Sequence, residues 1–545
     1  MEDYRVRYQQ WLEDPFIDEE TKAELRSIAD NETEIKERFF KELEFGTGGL
    51  RGIIGNGSNR LNQYTVGKAS QGLANYILKE GTQDKGVAIA YDSRFMSPEF
   101  AEVAGLIFAA NGIPAFVYPS LRPVPMLSFA VRELGCTAGV VLTASHNPPE
   151  YNGYKVYWAD GAQVVAPRDK GIITEVNAVT DFGQIKRMDR AEAEAKKLFN
   201  LIGEEVDEAF DKNVQASLMN HEMIQRMGDK LNIVYTPLHG SGNMPVRRNL
   251  EKAGFKNVYI VKEQEAPDSS FSTVDYPNPE DTKVFVMAQE LAAKVDADIL
   301  IGTDPDCDRV GVMAKDEKGE FVALTGNHVG ALATEYILSQ RKEQGRLPEN
   351  GAVIKTIVST EMITPICEAY GVEKMDVLTG FKFIGEKIKG FEETGSHTYL
   401  YGFEESYGCL GGTYARDKDA VFASVLICEM AAYYKEKGMT LYEALLALYE
   451  KYGYFREGVK SLTMKGLEGM ERIALIMKTF RENTPAALGG FKVVVAKDYK
   501  TQVFKNLVTG EESGSPLPVS DVLHYTLEDG TWVCIRPSGT EPKVK

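Results

Sequence analysis

The sequence predicts an α/β protein of several domains: three related α/β units, each a mixed sheet flanked by helices, then one α+β unit. Three observations carry that prediction. The chain has 545 residues, too many for a single hydrophobic core. Short apolar strands alternate with helical stretches through most of it, as in βαβ units. Polar loops rich in glycine and proline follow several of those strands, where α/β sheets bind their ligands.

In chain order, residues 3 to about 45 read as amphipathic helices, with an N-cap at Asn31 or Thr33 ahead of Ile35, Phe39, Phe40 and Leu43. A strand follows at 86–91, a helix at about 98–110 and a strand at 115–118. Ala138-Gly139-Val140-Val141-Leu142 is continuously apolar, the mark of a strand buried on both faces. Residues 184–230 are charged and helical and read as a strandless connection. The second α/β unit opens at 231–235 and includes a strand at 297–301; the third has strands at 352–358 and 398–401. Beyond residue 456, strands such as 491–495 mix with a helix at about 466–479. The domains are therefore expected at 1–210, 211–322, 323–455 and 456–545.

Composition narrows the function. Sixty-two basic against 80 acidic residues give a net charge of −18, which repels nucleic acid and anionic membrane. A small anionic substrate is compatible only if cations converge on one cleft. No apolar run is long enough to cross a bilayer, and Met1-Glu2-Asp3-Tyr4-Arg5 is no signal peptide. Six cysteines without CxxC spacing fit free thiols in a cytoplasmic protein, and no HxxxH pair points to zinc.

Four loops carry the chemistry. In Thr143-Ala144-Ser145-His146-Asn147-Pro148 a serine stands just past a buried strand, with Lys155 on the strand that returns. Alone, Ser145 reads as a turn cap. Asp304-Pro305-Asp306-Cys307-Asp308-Arg309 places three carboxylates at alternate positions, a hard-oxygen set suited to Mg²⁺. An EF-hand is ruled out, because Arg309 and Lys315 stand where glycine and glutamate are required. Gly402-Phe403-Glu404-Glu405-Ser406-Tyr407-Gly408 can offer paired carboxylates to sugar hydroxyls, although alone it reads as a solvated turn. Arg536-Pro537-Ser538-Gly539-Thr540-Glu541-Pro542-Lys543 can grip a phosphate through Arg536, two hydroxyls and backbone amides, although it is no Walker A loop. Lys382, alone between aromatics, reads as a surface lysine. The glycines around Arg51 let it approach a ligand closely. Arg51, Lys155, Arg309, Lys382 and Arg536 are expected all to lie in these loops and to supply the cations an acidic protein needs for a phosphosugar.

Together these strings resemble the α-D-phosphohexomutase family, from about Phe45 to the C-terminus and in the family's order. The resemblance implies a heart-shaped protein in which three α/β domains and a TATA-binding-protein-like domain surround a central cleft. It makes Ser145 the phosphoryl carrier and Asp304, Asp306 and Asp308 the Mg²⁺ ligands together with that phosphoserine. Glu404 and Ser406 match the sugar loop, while Arg536, Ser538, Gly539 and Thr540 match the distal phosphate site. Arg51 and Lys155 flank the serine, with Lys155 or His146 passing the proton. The implied reaction is phosphoglucomutase chemistry through glucose 1,6-bisphosphate in a monomer or homodimer.

Two departures qualify that expectation. The Gly-Phe-Glu-Glu-Ser loop is closer to the glucose-type GEES than to the GEMS of dual mannose/glucose enzymes, which favours glucose, whereas Phe403 and the 45–51 opening resemble a subgroup containing phosphopentomutases, which keeps a pentose open. The sequence stops at Lys545, where relatives continue, so the last domain reads as incomplete. A phosphohydrolase would gain nothing from the second phosphate loop. A non-catalytic phosphosugar sensor would have no use for Ser145 or the aspartates.

Overall fold

The computed structural model describes residues 3–46, 48–464, 466–538 and 543–545, with the backbone alone at Gly466 and Leu467. The chain divides into two compact units. The larger runs to Lys355 and takes in Glu361–Met375 and Phe381–Gly453; the smaller holds Thr356–Thr360, Asp376–Gly380 and Tyr454–Lys545.

The larger unit begins with helices Tyr4–Glu13, Glu19–Ser27 and Glu32–Phe39. Asp3, Asp18 and Asn31 cap them by accepting first-turn N–H groups, so Asn31 rather than Thr33 starts the third helix. Trp11, Phe39 and Tyr64 bury their rings edge to face and fasten these helices to the first α/β layer.

The first sheet orders its strands Gly49–Ile53, Tyr151–Trp158, Ala138–Leu142, Val87–Tyr91, Ala115–Val117 and Phe199–Leu201. The last four run parallel; the first two are antiparallel additions, so the sheet is mixed. Ala138–Leu142 and Val87–Tyr91 are buried along their whole length, as central strands covered on both faces must be. Phe199–Leu201 corrects the expectation of a strandless connection at 184–230. Only Phe199 of its three residues is buried, and so short an edge strand carries no periodicity.

The second sheet runs Phe321–Leu324, Val310–Lys315, Ile299–Thr303, Asn232–Thr236, Asn257–Ile260. The third runs Glu373–Val377, Gly351–Thr356, Thr398–Phe403, Cys409–Leu410. Both are mixed: parallel pairs join Ile299–Thr303, Asn232–Thr236 and Asn257–Ile260 in the second and Gly351–Thr356 with Thr398–Phe403 in the third, and antiparallel strands extend each sheet on one side.

The smaller unit is α+β. Helix Gly466–Glu482 packs Ile473 and Met477 against Val493, Leu523, Tyr525 and Leu527 of an antiparallel sheet. That sheet runs Glu512–Gly514, Val503–Asn506, Phe491–Asp498, Leu523–Leu527, Trp532–Ile535. Three mixed-sheet α/β layers and a sheet-rich C-terminal unit match the fold class expected.

Candidate active site

The site grows from the carboxyl ends of two parallel strands. Pairing Tyr91 with Leu142 brings the next residues together, and the Thr143 hydroxyl donates to Asp92 Oδ2 at 2.6 Å. The same Thr143 Oγ1 accepts the Ser145 N–H at 2.8 Å. Ser145, only 4% exposed, then takes a left-handed turn with φ of 53°, a conformation ordinarily left to glycine and asparagine. That turn directs its hydroxyl across to the second layer, where Oγ donates to Asp304 Oδ2 at 2.8 Å.

Asp304 follows strand Ile299–Thr303, and its Oδ1 accepts the N–H groups of Asp308 and Arg309, each at 3.1 Å. The loop thus wraps its own first carboxylate. Cys307 makes the turn, again left-handed at φ 51°. Asp304, Asp306 and Asp308 are all buried, and each offers an oxygen within 4.8 Å of the others'. Burial, with the charges of Asp306 and Asp308, holds the Asp304 carboxyl well above its usual range. At Asp306 burial opposes ionisation too, but the Lys155 ammonium at 2.9 Å outweighs it and holds that carboxyl low.

Asp306 Oδ1 and Asp308 Oδ1 are buried without a hydrogen-bond partner. Buried oxygens without a hydrogen-bond partner, on two carboxylates of one buried triad, are what a hard divalent cation needs, so these residues fit a metal site.

Cations close the remaining sides. Arg309 pairs with Glu280 at 2.7 Å and lies 3.8 Å from Asp308. Lys418 pairs with Asp308 and Asp417, both at 3.0 Å, and Tyr157 donates to Asp417 at 2.6 Å. Burial disfavours the Lys418 charge, but Asp308, Asp417 and Glu404 together raise its pKa well above normal. His146 Nδ1 lies 3.1 Å from Ser145 Oγ. Crowding by protein atoms, despite a partly exposed edge, and the charges of Arg309 and Arg51 hold this imidazole's pKa well below its usual range.

The expected residues divide accordingly. Ser145, His146, Lys155, Arg309 and the three aspartates meet directly. Arg51 donates to Asn147 Oδ1 at 3.2 Å; it lies mid-strand in Gly49–Ile53 rather than in a loop. Glu404 is buried, and burial raises its carboxyl pKa against the pull of Lys418. Ser406 is partly exposed in the turn after strand Thr398–Phe403. Lys382 stands in the first turn of helix Phe381–Thr394, its Nζ 5.5 Å from the centre of the Phe383 ring. In the smaller unit, Arg536 N donates to Lys545 O at 3.0 Å and Ser538 N to Lys543 O at 2.8 Å, closing the neck of their loop. Gly539 and Thr540 lie outside the described residues.

Sequence reasoning missed Asp92, Arg94, Asp417 and Lys418. Asp92 and Arg94 had a readable signal, since they follow the end of a buried parallel strand as Ser145 does.

Three consecutive stretches match family descriptions. Residues 42–182, 209–319 and 325–452 match phosphoglucomutase/phosphomannomutase alpha/beta/alpha domains I, II and III. A phosphoglucomutase of Staphylococcus epidermidis is 36% identical over 537 residues, covering 98% of this chain and 96% of that protein. One from Staphylococcus aureus is 37% identical over 520 residues, covering 94% and 91%. Two solved structures share the fold. The open form of a Paramecium phosphoglucomutase (pp63/parafusin) has a TM-score of 0.66 at 17% identity, covering 92% of this chain and 89% of that one. A phosphoglucomutase/phosphomannomutase family protein of Burkholderia thailandensis has a TM-score of 0.64 at 18% identity, covering 92% of each. With its domains matched in order and its length covered by such relatives, the chain belongs to the phosphoglucomutase/phosphomannomutase family of isomerases.

Proposed function

We propose that this chain is a phosphoglucomutase that interconverts glucose 1-phosphate and glucose 6-phosphate, with Ser145 as the phosphoryl carrier and glucose 1,6-bisphosphate as intermediate and activator. One observation carries the reading: the Ser145 hydroxyl meets Asp304 inside a buried carboxylate triad. The naming of the Staphylococcus relatives supports glucose as the sugar.

In the forward step the bond between phosphorus and Ser145 Oγ breaks as a bond to the sugar O6 forms. The proton of the O6 hydroxyl balances the charge appearing on Oγ. His146, with Nδ1 3.1 Å from Oγ, and Lys155 are the groups assigned to pass it. The bisphosphate then turns round, and its O1 phosphoryl group returns to Ser145 with the proton moving in reverse. Asp304, Asp306, Asp308 and the phosphoserine would hold Mg²⁺, which offsets the charge spread over the transferring oxygens. Arg51, Arg309 and Lys155 counter the phosphate charge beside Ser145. Glu404 and Ser406 are assigned to sugar hydroxyls. Arg536, Ser538, Gly539 and Thr540 are assigned to the substrate's other phosphate, and Lys382 to substrate binding. No helix among the described residues is long and apolar enough to cross a membrane, which supports a cytoplasmic setting.

A coupled assay tests this, with Mg²⁺, a trace of glucose 1,6-bisphosphate, and glucose, mannose or ribose 1-phosphate as substrate. Glucose 1-phosphate is expected to be turned over fastest. Preference for ribose or mannose would reassign the sugar, and phosphate release without isomerisation would make the protein a hydrolase.

A further inference from the structure

Arg94 has no part in the proposed phosphoryl transfer, yet it is among the most enclosed charged side chains in the protein. Its guanidinium sends donors to four backbone carbonyls of one loop: Ser145 and Asn147 at 2.5 Å each, Pro148 at 2.9 Å and Tyr151 at 2.8 Å. A planar fork of donors is the only side chain that can satisfy four carbonyls from one point. Arg94 is itself fixed at its base, where its N–H donates to Asp92 Oδ1 at 3.0 Å and its Nε lies 3.4 Å from Asp92 Oδ2.

Its flat face meets the second α/β layer. The Phe271 ring, fully buried, centres 5.1 Å from the guanidinium carbon. Phe271 holds a left-handed φ of 48°, a strained position for an aromatic residue that persists only where its surroundings fix it. Those surroundings are on the page. His239 bonds the segment at both ends, Nδ1 to Ala266 O at 2.9 Å and Nε2 to Thr273 Oγ1 at 2.8 Å. Two residues on, Ser241 donates its N–H and its hydroxyl to Pro305 O, each at 2.8 Å. Pro305 stands between Asp304 and Asp306.

We propose that Arg94 and Phe271 form a positioning clamp that sets the Ser145 loop at its working distance from the aspartate loop. The path Ser145 loop, Arg94, Phe271, His239, Ser241, Pro305 joins nucleophile to carboxylates without passing through a reacting atom. The inference rests on the reading of Ser145 as phosphoryl carrier. A loop that gives and takes a phosphoryl group changes its own charge in every turnover, and contacts to its backbone hold through both states.

The test uses Arg94→Lys, which keeps the charge but not the fork, and Phe271→Leu, which keeps an apolar side chain but not the ring. Each is assayed for kcat, KM and hydrogen exchange at residues 144–151. The expected result is a kcat lowered about 10-fold or more, KM within about 3-fold of the parent, and faster exchange in that segment. Loss of fixed geometry separates kcat from KM in this way, whereas general destabilisation does not. If Arg94→Lys does not fold, Phe271→Leu carries the test. Unchanged exchange, or an unchanged kcat, in a folded variant overturns the clamp. If the parent protein shows no mutase activity while exchange still rises in the variants, the clamp stands and the mutase reading falls.

Discussion

Ser145 Oγ donates to Asp304 Oδ2 across 2.8 Å, joining residues 159 positions apart in the chain, in loops that follow strands of different sheets. Each residue is fixed by its own loop before the two meet. The serine arrives by a left-handed turn anchored on Thr143, and the aspartate is locked by two N–H groups of its own loop. Their meeting makes a phosphate carrier beside a metal-binding carboxylate the economical reading.

Ser145→Ala removes the carrier and is expected to lower mutase turnover by ~10⁴-fold or more. Intact-mass analysis should find the parent carrying one phosphoryl group and the variant none. Near-normal activity in the variant would reject the assignment.

Chelation should silence the enzyme, and Mg²⁺ should restore it. Asp308→Asn removes one negative ligand, so the Mg²⁺ concentration for half-maximal rate should rise and kcat fall by about two orders of magnitude or more. Activity indifferent to chelator would contradict the metal site.

Gly153→Ala tests how tightly the loop's returning strand is packed. A Cβ there would lie 2.5 Å from Thr143 O and 2.9 Å from Leu50 O, both backbone atoms that cannot turn aside. The expected cost is about 1–3 kcal/mol, read as a lower Tm, with a lower kcat because Thr143 anchors Ser145. A variant as stable and active as the parent would show that the strand pair relaxes freely.

Glu429 gives a pH prediction away from the site. It is fully buried and accepts the N–H groups of Met219 and Asn220 and the Tyr336 hydroxyl, with burial pushing its carboxyl up to about 7. The folded chain therefore holds a proton that the unfolded chain releases as pH rises above the ordinary carboxyl range. Stability from this group is greatest at low pH and declines until pH passes about 7, by roughly 3 kcal/mol. Glu429→Gln cannot ionise, so its Tm advantage over the parent should grow from pH 5 to pH 7.5. A constant difference across that range would show that Glu429 is not protonated in the fold.

Much of this was legible in the chain. The strand Ala138–Leu142 announced itself by five apolar residues in a row, and Asp304, Asp306 and Asp308 by their alternation in a loop. What escaped was charge made structural by burial. Arg416-Asp417-Lys418-Asp419 carries no pattern that singles it out, yet Lys418 is largely buried and paired with Asp308 and Asp417. Arg94 could be flagged by its place after a buried parallel strand, but nothing local shows that four carbonyls from a segment some fifty positions on will converge on it. Local pattern reports propensity and spacing; only the folded chain determines which charges lose their water. The short strand Phe199–Leu201 was hidden for a related reason, since its pairing with Ala115–Val117 is a tertiary fact.

The backbone sign at Ser145 has a practical side. At φ of 53°, alanine must hold a conformation it resists at a cost of about 1–2 kcal/mol, whereas glycine adopts it freely. Ser145→Gly is thus the quieter deletion: the turn keeps its shape while the hydroxyl disappears. Such a protein would be an inert cradle for sugar bisphosphate, able to grip the intermediate but unable to draw its phosphoryl group back.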